Sequence, residues 1–248
     1  TEEFCDITFF PYQVPIAYRF IESIVVGDGE EITLIATRQS GKSEVLSNVV
    51  AALMVILPKL SSVYPLWLDK FDKGFWCGVF APTEDQADTV FSRIVTKLTS
   101  DHATGFLLDP EIDDKAASGG SRGKGKMVSL KNSGSLCRMQ SCTPKAKIES
   151  KTYHFAIVDE AQEADEFMIN KSIKPMLAFN NGSITLTGTA TRNKSYFYKA
   201  IQYNKRRDVN KRRGHRQSHF EYDWKVAAKY NGNYGKFIAK ERVRIGED

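Results

Sequence analysis

Three short stretches carry side chains that could handle phosphate, metal and water together. Ala36-Thr37-Arg38-Gln39-Ser40-Gly41-Lys42-Ser43 follows a short apolar run and opens a longer one. It fits the phosphate-binding loop pattern ending in Gly-Lys-Ser, except that Ala36 stands where the first glycine is usual. Backbone N–H groups and the positive end of a helix would face the anion there. Gly41 lets the backbone approach closely. Arg38, Gln39 and Ser40 fill the turn, Lys42 is placed to reach the β and γ phosphates, and the Ser43 hydroxyl to hold Mg²⁺.

The second stretch is Ala156-Ile157-Val158-Asp159-Glu160, an apolar strand that ends in two acids. Asp159 suits a metal ion, and Glu160 suits a general base that polarises an attacking water. A strand ending in Asp-Glu could instead cap a helix, but its place well beyond a phosphate loop favours chemistry. The third stretch is Leu186-Thr187-Gly188-Thr189-Ala190-Thr191, after another apolar run. Thr187, Gly188 and Thr189 would then lie at the carboxyl end of a sheet, where open α/β folds bind ligands; a plain polar turn is the alternative. The three together are what hydrolysis of ATP with Mg²⁺ and a catalytic glutamate requires.

The elements that must position these residues are legible as patterns. Ile32–Ala36, Phe75–Ala81, Met127–Leu130, Leu136–Gln140, His154–Val158 and Ser183–Thr187 read as strands, mostly continuous apolar runs as expected when helices cover both faces. Helices are expected over Pro11–Ile24, Ser43–Leu57 (stopped by Pro58), from the Thr83-Glu84-Asp85-Gln86 capping box to Thr99, and over Glu166–Ala178. Asn132-Ser133-Gly134-Ser135 reads as a hairpin turn. Asp113–Lys126, rich in Gly, Ser and Lys, is expected to be a mobile loop. The expected fold is a three-layer α/β P-loop NTPase, RecA-like, with a mainly parallel central sheet over residues 1–191. A small basic lid or linker subdomain is expected over 192–248.

Charge supports that division. The chain of 248 residues has a formal net charge of +5. Lys194–Arg244 holds 15 Lys/Arg against 4 Asp/Glu, whereas the preceding part is slightly acidic. Such a split suits a nucleic-acid binder, with a solvated surface as the alternative. The four cysteines, Cys5, Cys77, Cys137 and Cys142, form no CxxC pair and are expected to be buried thiols. No membrane span and no secretory leader are expected.

At this point a resemblance appears. Arg38-Gln39-Ser40-Gly41-Lys42-Ser43 looks like the phosphate loop of large terminase subunits of tailed double-stranded DNA phages, which tolerates a first residue other than glycine and often carries an arginine. Val158-Asp159-Glu160-Ala161 is similar to that family's Walker B segment, and Thr187-Gly188-Thr189 to its coupling motif. Phe10-Pro11-Tyr12-Gln13 resembles its adenine-recognising segment, which puts Gln13 in the nucleotide site. The resemblance implies a motor that assembles with itself in a ring at a procapsid portal, in the host cytoplasm. Its implied partners are double-stranded DNA and the small terminase subunit. It also implies a nuclease domain downstream, which this chain is too short to hold, so no nuclease activity is expected from it.

An arginine on the developing γ-phosphoryl charge can contribute about 10³–10⁵-fold in rate. Arg38 could act in cis and Arg138 in trans on a neighbour; Arg122 is a further choice, and a cross-strand ion pair is the alternative for Arg138. For DNA, the runs Lys205-Arg206-Arg207 and Lys211-Arg212-Arg213-Gly214-His215-Arg216 suit phosphate contacts without sequence reading. Two other readings remain open. Asp159-Glu160-Ala161-Gln162 and Thr189-Ala190-Thr191 also resemble motifs of DEAD-like helicases, which need a second RecA-like domain. A nucleotide-gated DNA-binding module with little turnover would have no need of Glu160.

Overall fold

The computed structural model describes residues 1–100, 112–114, 126–144, 151–191, 194–210 and 214–246. After a first helical turn, α1 (Glu2–Cys5), helix α2 (Val14–Val26) leads into β1 (Glu31–Ala36) and the long α3 (Lys42–Val63), followed by the short α4 (Pro65–Leu68). Then come β2 (Trp76–Ala81), α5 (Glu84–Leu98), β3 (Ile112–Asp114), β4 (Met127–Leu130), β5 (Leu136–Ser141) and β6 (Phe155–Val158). A helical segment, α6 (Glu166–Met168), continues as a π turn over Ile169–Ile173 and a 3-10 turn over Lys174–Leu177. The chain closes with β7 (Ser183–Gly188), α7 (Tyr196–Val209), β8 (His219–Tyr222), α8 (Trp224–Tyr230) and α9 (Gly232–Ile245).

The strands form one eight-stranded sheet in the order β3-β4-β5-β2-β6-β7-β1-β8. From β5 to β8 every neighbour is parallel, and β3 and β4 add antiparallel to that edge. The expected mainly parallel α/β architecture is thus observed. Helices α2, α3 and α5 bury one face of the sheet through residues such as Phe20, Val49, Leu53 and Phe91. The α6 segment and α7 bury the other through Met168, Ile173, Phe197 and Ile201. Both faces are covered, so the strands could be continuous apolar runs.

Four expectations are corrected. Helix α3 does not stop at Pro58 but runs on to Val63. Proline cannot donate to the carbonyl four residues back. That carbonyl, of Met54, instead accepts the Ser135 hydroxyl at 2.7 Å, so the break leaves no unmet acceptor. The helix beginning near Pro11 starts at Val14 with Pro15 in its first turn. Asp113 and Asp114, expected in a loop, belong to β3; residues 115–125, including Arg122, lie outside the described residues. Finally, the sheet does not end at Thr191: β8 pairs with β1, and α7 packs on β1, so these two elements complete the core. After β8, α8 and α9 pack on each other as a helical pair, with α8 also touching β8.

Helix α3 is long and apolar enough to cross a membrane by length and composition, yet it is mostly buried inside the fold. Its apolar residues serve the core. The four cysteines are buried and free, as expected.

Candidate nucleotide site

Strands β1 and β6 each end on the same side of the sheet, with β7 inserted between them. The loop after β1 turns through two left-handed residues, Gln39 (φ 60°) and Gly41 (φ 75°), before α3 begins. At Gly41 a Cβ would lie 2.4 Å from Gln13 Nε2, so only glycine fits that crossing. The first N–H groups of α3 have no acceptor within the helix and point out at its N-terminus. The loop also holds two buried hydroxyls, Thr37 Oγ1 and Ser40 Oγ, with no hydrogen-bond partner among the described residues. Unpaired donors in a turn at a helix N-terminus fit a phosphate group.

Opposite the loop, β6 delivers the two acids. Ser43 Oγ lies 3.3 Å from Asp159 Oδ2, and Lys42 Nζ lies 3.1 Å from Glu160 Oε1. Asp159 is almost fully buried, and its second oxygen accepts the Thr187 hydroxyl at 2.6 Å. Thr187 therefore fixes the carboxylate that faces Ser43, and is itself too buried to meet a ligand directly. A hard cation between Ser43 and Asp159 fits this donor set, since both offer oxygen.

Glu160 adopts φ 49°, a left-handed conformation that a side chain of this kind seldom takes. Strain of this sort concentrates at functional positions. Burial alone would raise its carboxyl pKa, but the hydrogen bond from Gln162 and the charges of Lys42 and Arg38 outweigh that and hold it below the usual range. Gln162 is the residue that motif reading passed over as a site member. Its Nε2 donates to Glu160 Oε2 at 2.6 Å, and its Oε1 accepts the Thr189 N–H at 3.3 Å. Gly188 makes room for it: a Cβ there would sit 2.2 Å from Gln162 Oε1 and 2.9 Å from Phe197 Cε1. Thr187 thus contacts Asp159, and Gly188 and Thr189 contact Gln162.

Gln13 lies buried against the loop, accepting from Phe10 N–H at 2.9 Å and donating to the Ser40 carbonyl at 3.4 Å. Tyr12 donates its hydroxyl to the same carbonyl at 2.6 Å. Phe10 and Tyr12 pack with Tyr222 and Tyr230 in an aromatic cluster beside the loop, with ring centroids 5.3–5.9 Å apart. Tyr222 and Tyr230 could not be placed here from spacing, because they lie far along the chain.

The two arginines separate. Arg38 is exposed in the loop, and its charge acts on Glu160. Arg138 is in register with Gly78, which is in register with Ala156. It therefore stands two strands, roughly 10 Å, to the side of β6 and about 13 Å short of Glu160 along the strands. A side chain cannot span that to its own site. Its Nη2 lies 3.6 Å from Met127 Sδ.

Of the basic runs, Lys211, Arg212 and Arg213 lie outside the described residues. Lys205 pairs with Glu221 at 2.5 Å, Arg207 with Glu30 at 2.6 Å and Arg216 with Glu22 at 2.7 Å. Arg206 donates to the Gln202 carbonyl at 3.2 Å. These cations are spread over α7 and its sequel and largely matched by acids.

The sheet order, the loop and the paired acids define the P-loop NTPase fold with a strand inserted between its two signature strands. No family model matches the chain, and no curated protein matches it. Solved structures do. The large terminase ATPase domain of Thermus phage P74-26 superposes with a TM-score of 0.62 at 19% identity, covering 98% of this chain and 90% of that one. The large terminase of bacteriophage HK97 gives 0.64 at 14% identity over 98% of this chain and 48% of that one. The large terminase of the thermophilic bacteriophage D6E in complex with ADP gives 0.52 at 12% identity, covering 87% and 45%. The chain has the fold of the ATPase domain of phage large terminases, and spans about half the length of the HK97 and D6E proteins.

Proposed function

We propose that the chain is the ATP-hydrolysing motor of a phage large terminase, driving double-stranded DNA into a procapsid. The observation that carries this reading is the meeting of Lys42 and Ser43 with Glu160 and Asp159 across the end of β7. In the reaction, the loop and the N-terminus of α3 bind the triphosphate. Lys42 leaves Glu160 for the β and γ phosphates, which frees a carboxylate oxygen. Glu160 then orients water in line with the γ phosphorus and takes its proton. Ser43 and Asp159 would hold Mg²⁺, which when bound would neutralise charge on the phosphates. Gln13 reads the base edge, and Arg38 supplies positive charge in cis.

Arg138 acts in trans, on the site of a neighbour in a homo-oligomeric ring; its distance from its own Glu160 supports this. The ring works in the host cytoplasm with the portal and the small terminase subunit. Mixing Arg138→Ala with Lys42→Ala subunits tests the shared site: partial recovery of ATP turnover is expected, and no recovery removes the trans arginine and leaves Arg38.

A further inference from the structure

We infer that the duplex backbone docks on the exposed cationic face of the helical pair α8–α9 rather than on the basic run of α7. The inference rests on the DNA-motor reading above and adds which surface meets the polyanion. In α7 and the segment after it, the acid partners of Lys205, Arg207 and Arg216 come from β8, the residue before β1 and α2. His215 likewise sits 2.6 Å from Asp208, whose carboxylate also caps the N–H groups of Ser218 and His219. These cations stitch the last strand to the sheet. A phosphate could use them only by breaking those pairs.

The helical pair is different. Trp224–Gly246 contains six Lys/Arg and a single acid, Glu241, which pairs with Arg244 at 2.7 Å. Lys225, Lys229, Lys236 and Lys240 are exposed, and no acid lies within 4.0 Å of them among the described residues. Lys225 and Lys229 instead lie near the rings of Trp224 and Tyr230. Each helix places two lysines four residues apart, on one face, where like charges repel. A polyanion turns that repulsion into attraction and releases counterions. Phe237 stands 58% exposed on the same turn as Lys236 and Lys240. The pair also sits against the nucleotide loop: the Tyr230 ring is 5.6 Å from that of Tyr12, whose hydroxyl holds the Ser40 carbonyl.

The test is binding of a short mixed-sequence DNA duplex across about 50–200 mM salt, by fluorescence anisotropy. Three proteins are compared: the wild type, a Lys225→Gln, Lys229→Gln, Lys236→Gln, Lys240→Gln variant, and a Lys205→Gln, Arg216→Gln variant. Equal melting temperatures establish that the variants are folded, and Lys236→Glu with Lys240→Glu serves as a second probe. The four-lysine variant should lose about 3–4 from the log–log salt slope and at least tenfold in affinity, while the paired-cation variant keeps both. An unchanged slope in the four-lysine variant, or a slope lost only in the paired-cation variant, overturns the inference but leaves the DNA reading standing. A wild type that binds no duplex overturns both. Altered sedimentation with unaltered DNA binding assigns the face to another copy of the chain and also overturns it.

Discussion

Lys42 Nζ and Glu160 Oε1 stand 3.1 Å apart, so the lysine of the loop after β1 and the acid after β6 hold each other. The second oxygen of Glu160 is held by Gln162. Both oxygens are thus engaged; in the mechanism proposed above, a triphosphate would draw Lys42 away and so tie exposure of the base to occupation of the loop.

Glu160→Gln removes the partner that competes for Lys42. The variant should bind a non-hydrolysable ATP analogue at least as tightly as wild type by calorimetry. Its turnover should fall roughly 10²–10⁴-fold, the usual contribution of a general base. Weaker analogue binding would show that the pair organises the loop instead of competing with phosphate.

Gln162→Ala should act on the pH profile. Burial pushes the Glu160 carboxyl up, and the Gln162 hydrogen bond is the first of the interactions that pull it down. Without it the carboxyl pKa rises, and the acid limb of the turnover profile moves to higher pH. Gly188→Ala should mimic this, because its Cβ would collide with Gln162 Oε1. A limb that stays in place in both variants would mean that Gln162 has no hold on the base.

The loop backbone gives opposite outcomes at two neighbouring residues. Gln39 is a left-handed non-glycine residue, so Gln39→Gly should be neutral or stabilise by up to about 1 kcal/mol. Gly41→Ala meets both a positive φ and Gln13 Nε2, and should lose nucleotide binding. Thermal unfolding and analogue titration check the two.

His154 should make the fold acid-sensitive. Burial lowers its pKa from 6.5 to about 4. Its Nδ1 accepts the Trp76 N–H at 3.0 Å, so the neutral ring donates from Nε2 to the Lys70 carbonyl at 3.1 Å. Between these two pKa values the unfolded chain binds the proton and the folded one does not. Stability from this group is complete above pH 6.5 and lost as pH falls toward 4, by at most about 3 kcal/mol. Urea unfolding of wild type against His154→Phe should show that difference shrinking over that interval, and a constant difference would refute it.

The parallel strands were legible because burial on both faces makes most of their residues apolar, as in Phe155–Val158. Strand β8 was not: His219-Phe220-Glu221-Tyr222 is an edge strand with one partner, so it keeps polar residues and reads as surface. Pro58 misled because its cost is met by Ser135, whose contact with the Met54 carbonyl crosses 81 residues of chain and cannot be revealed by spacing. In the site, Lys42, Ser43, Asp159 and Glu160 follow from local motifs. Gln162 did stand two residues after Glu160, but its role depends on where Thr189 and Gly188 lie in the folded sheet. The matched state of Lys205, Arg207 and Arg216 was hidden for the same reason: their acids come from distant segments.

The most direct test of the account is release of inorganic phosphate from ATP with Mg²⁺ and duplex DNA at high protein concentration, with Glu160→Gln as the comparison. Sustained turnover by the wild type and near-complete loss in the variant are expected. Equal rates in the two proteins, or a wild type that binds ATP and releases no phosphate, would contradict the account.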